Sequence, residues 1–366
     1  MKKILALVLA LCMVLALCAC GKSGGKNDGI AMITDYGDIT DQSFNQTTYE
    51  ACKAFAEGKN INFKYYKPAS DSDADRVASI EAAIDEGFNV IVMPGYAFGP
   101  AIQEVAPQYK DVKFVALDVG EGDIGDLAAA VPENLYCAVY QEELCGYMAG
   151  YAAVKLGYTK LGYLGGMAVP AVVRYGYGFV QGCDAAAVEL GIADQVSVKY
   201  VYGNQFFGDA DITAYMDTWY TDGTEVVFAC GGGIYTSAAE AAVKVDGGKV
   251  IGVDVDQAGI IDGAYGEGLT VTSAMKGLAA TVDATLGAIV DGSFKGGKVD
   301  TLGLVSEKPE ENFVQIAGST QFGDGFTADD YAALVASMFK GEITVSNAID
   351  VEPATTIAVD YQGNIK

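Results

Sequence analysis

Short apolar, β-rich runs alternate along this chain with stretches whose apolar positions recur every three or four residues. Nine of the runs read as strands: 29–34, 62–66, 90–93, 113–117, 160–164, 196–202, 226–229, 250–253 and 271–273. Most are unbroken rather than alternating, the pattern of strands covered on both faces in a parallel sheet. Between the second and third, Val77, Ile80 and Ile84 share one face of a helical period, and Gly87 follows as a stop. Repeated strand–helix units of this length predict right-handed parallel crossovers and a layered α/β fold.

The pattern also repeats on a larger scale. Shifted by 136 residues, 72–118 lies over 208–254 without a gap, with 11 identities in 47 positions; average composition would give about three or four by chance. Asp73-Ala74-Asp75 falls on Asp209-Ala210-Asp211, Gly87 on Gly223, Val90 on Val226, Gly95 on Gly231 and Asp118 on Asp254. The order of helix start, glycine stop, strand, turn glycine, helix, strand and terminal aspartate matches as well. Two similar lobes are expected, each ending a strand on an aspartate. Shared strand–helix patterning is the simpler alternative.

Composition narrows the chemistry. The 366 residues carry 23 Lys and Arg against 48 Asp and Glu, a formal charge of −25, with no histidine. Nucleic-acid binding needs a basic face and is excluded, as is a polybasic grip on anionic lipid. Without histidine, Ser-His-Asp and Cys-His devices are missing in their usual form. At 51% apolar residues, with 46 glycines and 8 prolines, the chain can bury large cores and fits two domains. Cys52, Cys137, Cys145, Cys183 and Cys230 show no CxxC spacing and read as small core residues; neither metal nor cofactor is expected.

At the N-terminus, Lys2 and Lys3 precede an apolar run, 4–17, that ends in Leu17-Cys18-Ala19-Cys20-Gly21. Fourteen residues suit a signal-peptide core better than a membrane span. The ending resembles a bacterial lipoprotein signal, with residues 1–19 removed and Cys20 lipidated; an ordinary cleaved signal is the alternative. Residues 20–28 then form a polar tether. The mature protein is expected outside the cell, held at the membrane by lipid alone.

Open α/β sheets bind ligands beyond the carboxyl ends of their strands. If the lobes face each other, Asp118 and Asp254 both point into the cleft between them. Such a pair suits either the two hydroxyls of a sugar diol or acid–base chemistry, and capping of the following segment is the structural alternative. The stretch Thr34–Gln46 follows the first strand and opens a helix, bringing Phe44 to the same edge; Phe206-Phe207 stands at the matching edge of the other half. Aromatic faces there would stack a planar ligand, with core packing as the alternative. Lys276, after the run 271–273, is a cation in an acidic cleft. Gly231-Gly232-Gly233 lacks the Gly-Lys-Ser/Thr of a phosphate loop.

Several separated motifs, read in order, carry a family resemblance. They are Asp41-Gln42-Ser43-Phe44-Asn45-Gln46, Gly87-Phe88-Asn89-Val90-Ile91-Val92, Gly146-Tyr147-Met148-Ala149-Gly150, Leu164-Gly165-Gly166-Met167 with Pro170, Ile251-Gly252-Val253-Asp254-Val255-Asp256-Gln257 and Ser273-Ala274-Met275-Lys276. From about residue 29 to 345 the chain resembles the basic membrane protein family of bacterial lipoproteins, whose best-known members are purine-nucleoside receptors of ABC importers. The resemblance implies a type I periplasmic-binding-protein fold: two Rossmann-like lobes, 29–140 plus 277–305 and 141–276 plus 306–350, joined by hinge strands, with 351–366 as a tail. It implies no enzyme activity, and a monomer that captures a nucleoside and presents it to ABC permease subunits. Asp35, Phe44 and Asp118 would line the first lobe, with Phe44 against the base. On the second lobe Phe207 would be the opposing ring, Asp254 would hold the ribose hydroxyls and Lys276 would contact sugar or base. Asn45 and Asp256 are further members of the implied site. Tyr175 stands where the family often has phenylalanine, and the loop Tyr36-Gly37-Asp38-Ile39-Thr40 lies where its first loop varies; both flank the implied base pocket. An extracellular nucleoside hydrolase using the paired aspartates, and a sensor-coupled receptor for a sugar or signalling furanose, remain as alternatives.

Overall fold

The computed structural model describes residues 29–365; the expected signal segment 1–19, Cys20 and the remaining tether 21–28 lie outside the described residues. In chain order the strands are β1 (Ile30–Ile33), β2 (Phe63–Tyr66), β3 (Val90–Pro94), β4 (Lys113–Leu117), β5 (Leu135–Tyr140), β6 (Lys160–Gly165), β7 (Ser197–Tyr202), β8 (Val226–Cys230), β9 (Lys249–Asp254), β10 (Thr270–Lys276), β11 (Lys298–Leu302), β12 (Val314–Ile316) and β13 (Ala358–Asn364). The helices are α1 (Phe44–Lys59), α2 (Asp73–Asp85), α3 (Gly99–Val105), α4 (Glu142–Lys155), α5 (Pro170–Leu190), α6 (Ala210–Thr221), α7 (Tyr235–Ala242), α8 (Ala258–Tyr265), α9 (Leu278–Val290) and α10 (Ala328–Phe339).

Two sheets result. The first runs β11-β5-β4-β3-β1-β2 with every pairing parallel. The second runs β12-β10-β9-β8-β6-β7-β13 and is parallel except where β12 meets β10. The unbroken apolar runs have the cause expected of them. Ile30, Met32, Val90, Val92, Val115 and Leu117 pack on one face of the first sheet, while Ala31, Ile33, Ile91, Met93, Phe114 and Ala116 pack on the other. The first of these cores continues through α4 and α5 to the second sheet. Between the sheets the chain crosses three times: from β5 into α4, from β10 into α9, and from β11 to β12. Backbone bonds from Gln141 N to Leu302 O, Gly277 N to Phe313 O and Phe313 N to Gly303 O tie these crossings side by side.

Four strands were absent from the sequence pattern. β11 and β13 are half-exposed, and an edge strand covered on fewer sides has no unbroken apolar run. β12 has three residues. β5, by contrast, is nearly all buried, and its mixture of Tyr, Cys and Ala hides it. Within 351–366, expected as a tail, Ala358–Asn364 form β13, which pairs in parallel with β7. The run expected over 271–273 extends to Lys276, which ends the strand rather than following it. Cys52, Cys137, Cys145, Cys183 and Cys230 are free and buried, and burial pushes each thiol above its ordinary pKa. Among the described residues no helix is long and apolar enough to cross a membrane.

Candidate functional site

The carboxyl ends of the two sheets face a common cleft of about 720 Å³. Asp35 follows β1, Gly95 follows β3 and Asp118 follows β4; Gly231 follows β8, while Asp254 ends β9 and Lys276 ends β10, and all six line the cleft. The repeat is reproduced in the backbone. Asp118 (φ 57°) and Asp254 (φ 65°) both adopt the left-handed conformation that L-residues rarely take. Strain held in common at equivalent strand ends marks positions fixed by their surroundings.

The two aspartates meet through one ammonium. Lys276 Nζ lies 2.5 Å from Asp118 Oδ2, 3.7 Å from Asp254 Oδ1 and 3.6 Å from Glu142 Oε1. Its charge also sits 4.7 Å from the Phe44 ring centroid, with Tyr140 and Tyr175 just beyond. Burial alone would pull the Lys276 pKa down; Asp118 first, then Asp254 and Glu142, hold it above its ordinary value. Asp254 Oδ2 accepts 2.6 Å from Ser43 Oγ, and Oδ1 accepts 3.3 Å from Tyr175. Burial raises the Asp254 pKa, opposed by Lys276 and Ser43. Glu142 is fully buried, accepts 2.6 Å from Arg174 Nε, and is likewise raised by burial.

Among the described residues lining the cleft, two buried acceptors have no donor. Asp118 Oδ1 and Asn45 Oδ1 make no hydrogen bond, and both residues line the cleft. Asn45 is locked that way. Asp41 accepts from the Asn45 backbone N and from its Nδ2, which fixes the amide with its oxygen left without a donor. Asp41 also accepts from Ser43 N and Gln46 N, so one carboxylate both caps α1 and aims Asn45. At Gly95 (φ +123°) any Cβ would overlap the Asp35 carboxylate, so the β3 turn needs glycine to leave room for that side chain. An acceptor that is buried and unpaired costs about 1–3 kcal/mol, recovered when a ligand supplies a donor. The cleft thus suits a ligand rich in hydroxyl or amino donors with an apolar ring to cover.

Of the residues expected at the site, Asp35, Phe44, Asn45, Asp118, Tyr175, Phe207, Asp254 and Lys276 all line this cleft. Asp256 does not: its Oδ1 accepts from Ser319 Oγ and from Ala258 N, capping α8. Phe207 is at the rim and 61% exposed. Its neighbour Phe206 instead faces Tyr36 across the cleft, rings near parallel at 17° and 6.2 Å apart. Sequence reasoning missed Tyr36 and Phe206 as a pair, and also Ser43, Glu142, Asp123 and Arg174. The one available signal was that Arg174 is one of only two arginines in the chain. Among the described residues no group of His, Cys, Asp and Glu is placed to hold a metal ion.

Comparison with known proteins identifies the family and the fold. The model of a family described as ABC transporter substrate-binding protein, PnrA-like, matches residues 29–308. An ABC transporter nucleoside-binding protein, BmpA, of Lactococcus lactis is 26% identical over 323 residues, covering 82% of this chain and 87% of the relative. Basic membrane protein A of Borreliella burgdorferi is 28% identical, covering 83% and 85%. Among solved structures, an ABC transporter solute-binding protein from Aeropyrum pernix superposes with a TM-score of 0.67 at 18% identity over 86% of this chain and 87% of that one. One from Conexibacter woesei gives 0.65 at 22%, covering 87% and 98%. These structures share the type I solute-binding fold.

Proposed function

The chain belongs to the PnrA-like family of ABC transporter substrate-binding proteins, and we propose that it captures a nucleoside, foremost a purine nucleoside, and delivers it to an importer's permease. In this reading a lipid on Cys20 holds it at the outer face of the membrane, and it acts as a monomer. The observation that carries the proposal is the meeting of Asp118 and Asp254 at Lys276, with Asp118 Oδ1 buried and unpartnered. The hydroxyls of a ribose supply the donors this wall lacks. Phe44 beside the ammonium, and the facing rings of Tyr36 and Phe206, offer aromatic surface to a planar base; each stacked ring contributes about 1–3 kcal/mol by analogy with single-strand binding. The relative named as a nucleoside-binding protein supports the same ligand class.

Transport needs no covalent step. Ligand groups that touch both lobes at once favour the closed arrangement by their differential affinity, and the permease reads that arrangement. A thermal-shift screen over nucleosides, free bases and pentoses tests the proposal. Inosine, guanosine or adenosine raises the unfolding temperature, whereas ribose and adenine alone do not. A rise with ribose equal to that with inosine, or no rise with any nucleoside, contradicts it.

A further inference from the structure

Arg174 stands in the first turns of α5 and lines the cleft. Its Nε donates to the buried Glu142 at 2.6 Å, and its side chain is 17% exposed. Among the described residues that is the only hydrogen bond its side chain makes, so both terminal nitrogens remain available at the cleft surface. Across from it, Asp123 of the first lobe lies within reach of its charge. A guanidinium already balanced by Glu142 is a planar pair of N–H donors rather than an uncompensated cation. The rest of the polar lining is rich in acceptors: Asp35, Asn45 Oδ1 and Asp118 Oδ1. Lys276 is enclosed by three carboxylates. Adjacent acceptors on a ligand therefore find their matching fork at Arg174.

We propose that Arg174 is a ligand-contacting residue that sets specificity, its two terminal nitrogens reading adjacent acceptors on the base edge. This rests on the nucleoside reading and sharpens it: a 6-oxopurine presents O6 and N7 side by side, whereas a 6-aminopurine presents a donor beside N7 and mismatches the fork. Lysine, a point donor without fork geometry, does not replace it. The test is calorimetric titration of the wild type, Arg174→Met and Arg174→Lys with guanosine, 7-deazaguanosine and adenosine. The wild type is expected to bind guanosine about 10-fold or more tighter than either other ligand. In both variants guanosine and 7-deazaguanosine are expected to bind within about 3-fold of each other, because the partner of N7 is gone. The double variant Glu142→Gln/Arg174→Met, which also removes the charge of the carboxylate that Arg174 hydrogen-bonds, gives the same reading if the single variants fail to fold. Equal binding of guanosine and 7-deazaguanosine by the wild type, or a preference that survives in the variants, overturns the inference while leaving nucleoside capture intact. No binding of any of the three by the wild type overturns both.

Discussion

Asp35 holds a carboxyl group where solvent hardly reaches, and burial pushes its pKa up to about 6 despite backbone bonds from Tyr36 and Gly37 that favour the charged form. A group raised in the folded state binds more protons there than in the unfolded chain. Its contribution to stability is therefore full below the ordinary carboxylate range and is lost as pH rises through about 6. Asp35→Asn removes that loss. Measured by urea unfolding from pH 4 to 7, the stability of the variant relative to wild type should climb across this window by at most about 3 kcal/mol and then level off. A difference independent of pH would place the charge of Asp35 elsewhere. Residues of this kind differed in how far the sequence disclosed them. Asp118 and Asp254 were legible because duplication set them at matching ends, and their shared left-handed backbone is the structural counterpart. Glu142 and Ser43 carried no such mark, since each acquires its meaning from a partner more than 30 residues away.

At the scale of elements, α4 and α5 explain a motif that sequence reading used only for resemblance. Gly146 and Gly150 of α4 face Gly178 and Gly182 of α5, and a Cβ at any of the four would overlap a carbonyl oxygen of the opposite helix. The glycines let two backbones touch, and that contact sets the first turns of α5, which carry Arg174 and Tyr175 into the cleft. Gly146→Ala would press on the Tyr175 carbonyl; overpacking of this kind costs about 1–3 kcal/mol. Chemical denaturation should show that loss, and titration should show weaker ligand binding. Gly287→Ala on α9, where a Cβ meets nothing within 4 Å, should instead be neutral or stabilise by up to about 1 kcal/mol. If both substitutions behave alike, close helix contact is not what sets α5. Most central strands were legible for a related reason: burial on both faces leaves an unbroken apolar run, which the edge strands β11 and β13 never need, whereas β5 is buried yet hidden by its mixture of Tyr, Cys and Ala.

For the whole molecule, the crossings and the cleft form one mechanical system. Glu142 begins the helix after one crossing and Lys276 ends the strand before another, and their side chains meet at 3.6 Å. From lobe to lobe, Ser43 donates to Asp254, Gln257 Nε2 donates to Gln42 O at 3.0 Å, and Lys276 pairs with Asp118. On the proposed function, a ligand held by both tips would act on the hinge as well as on the walls. The repeat disclosed that the halves are alike, but not that one lysine would join their acids, because Lys276 lies outside the duplicated segment. Calorimetric titration of a purine nucleoside into the wild type, Asp118→Ala and Asp254→Ala tests this most directly. One site per chain is expected for the wild type, with affinity at least about 10-fold weaker in each variant, the loss of a hydrogen bond to a charged group. Wild-type affinity retained in both variants would contradict the claim that the paired strand ends grip a shared ligand.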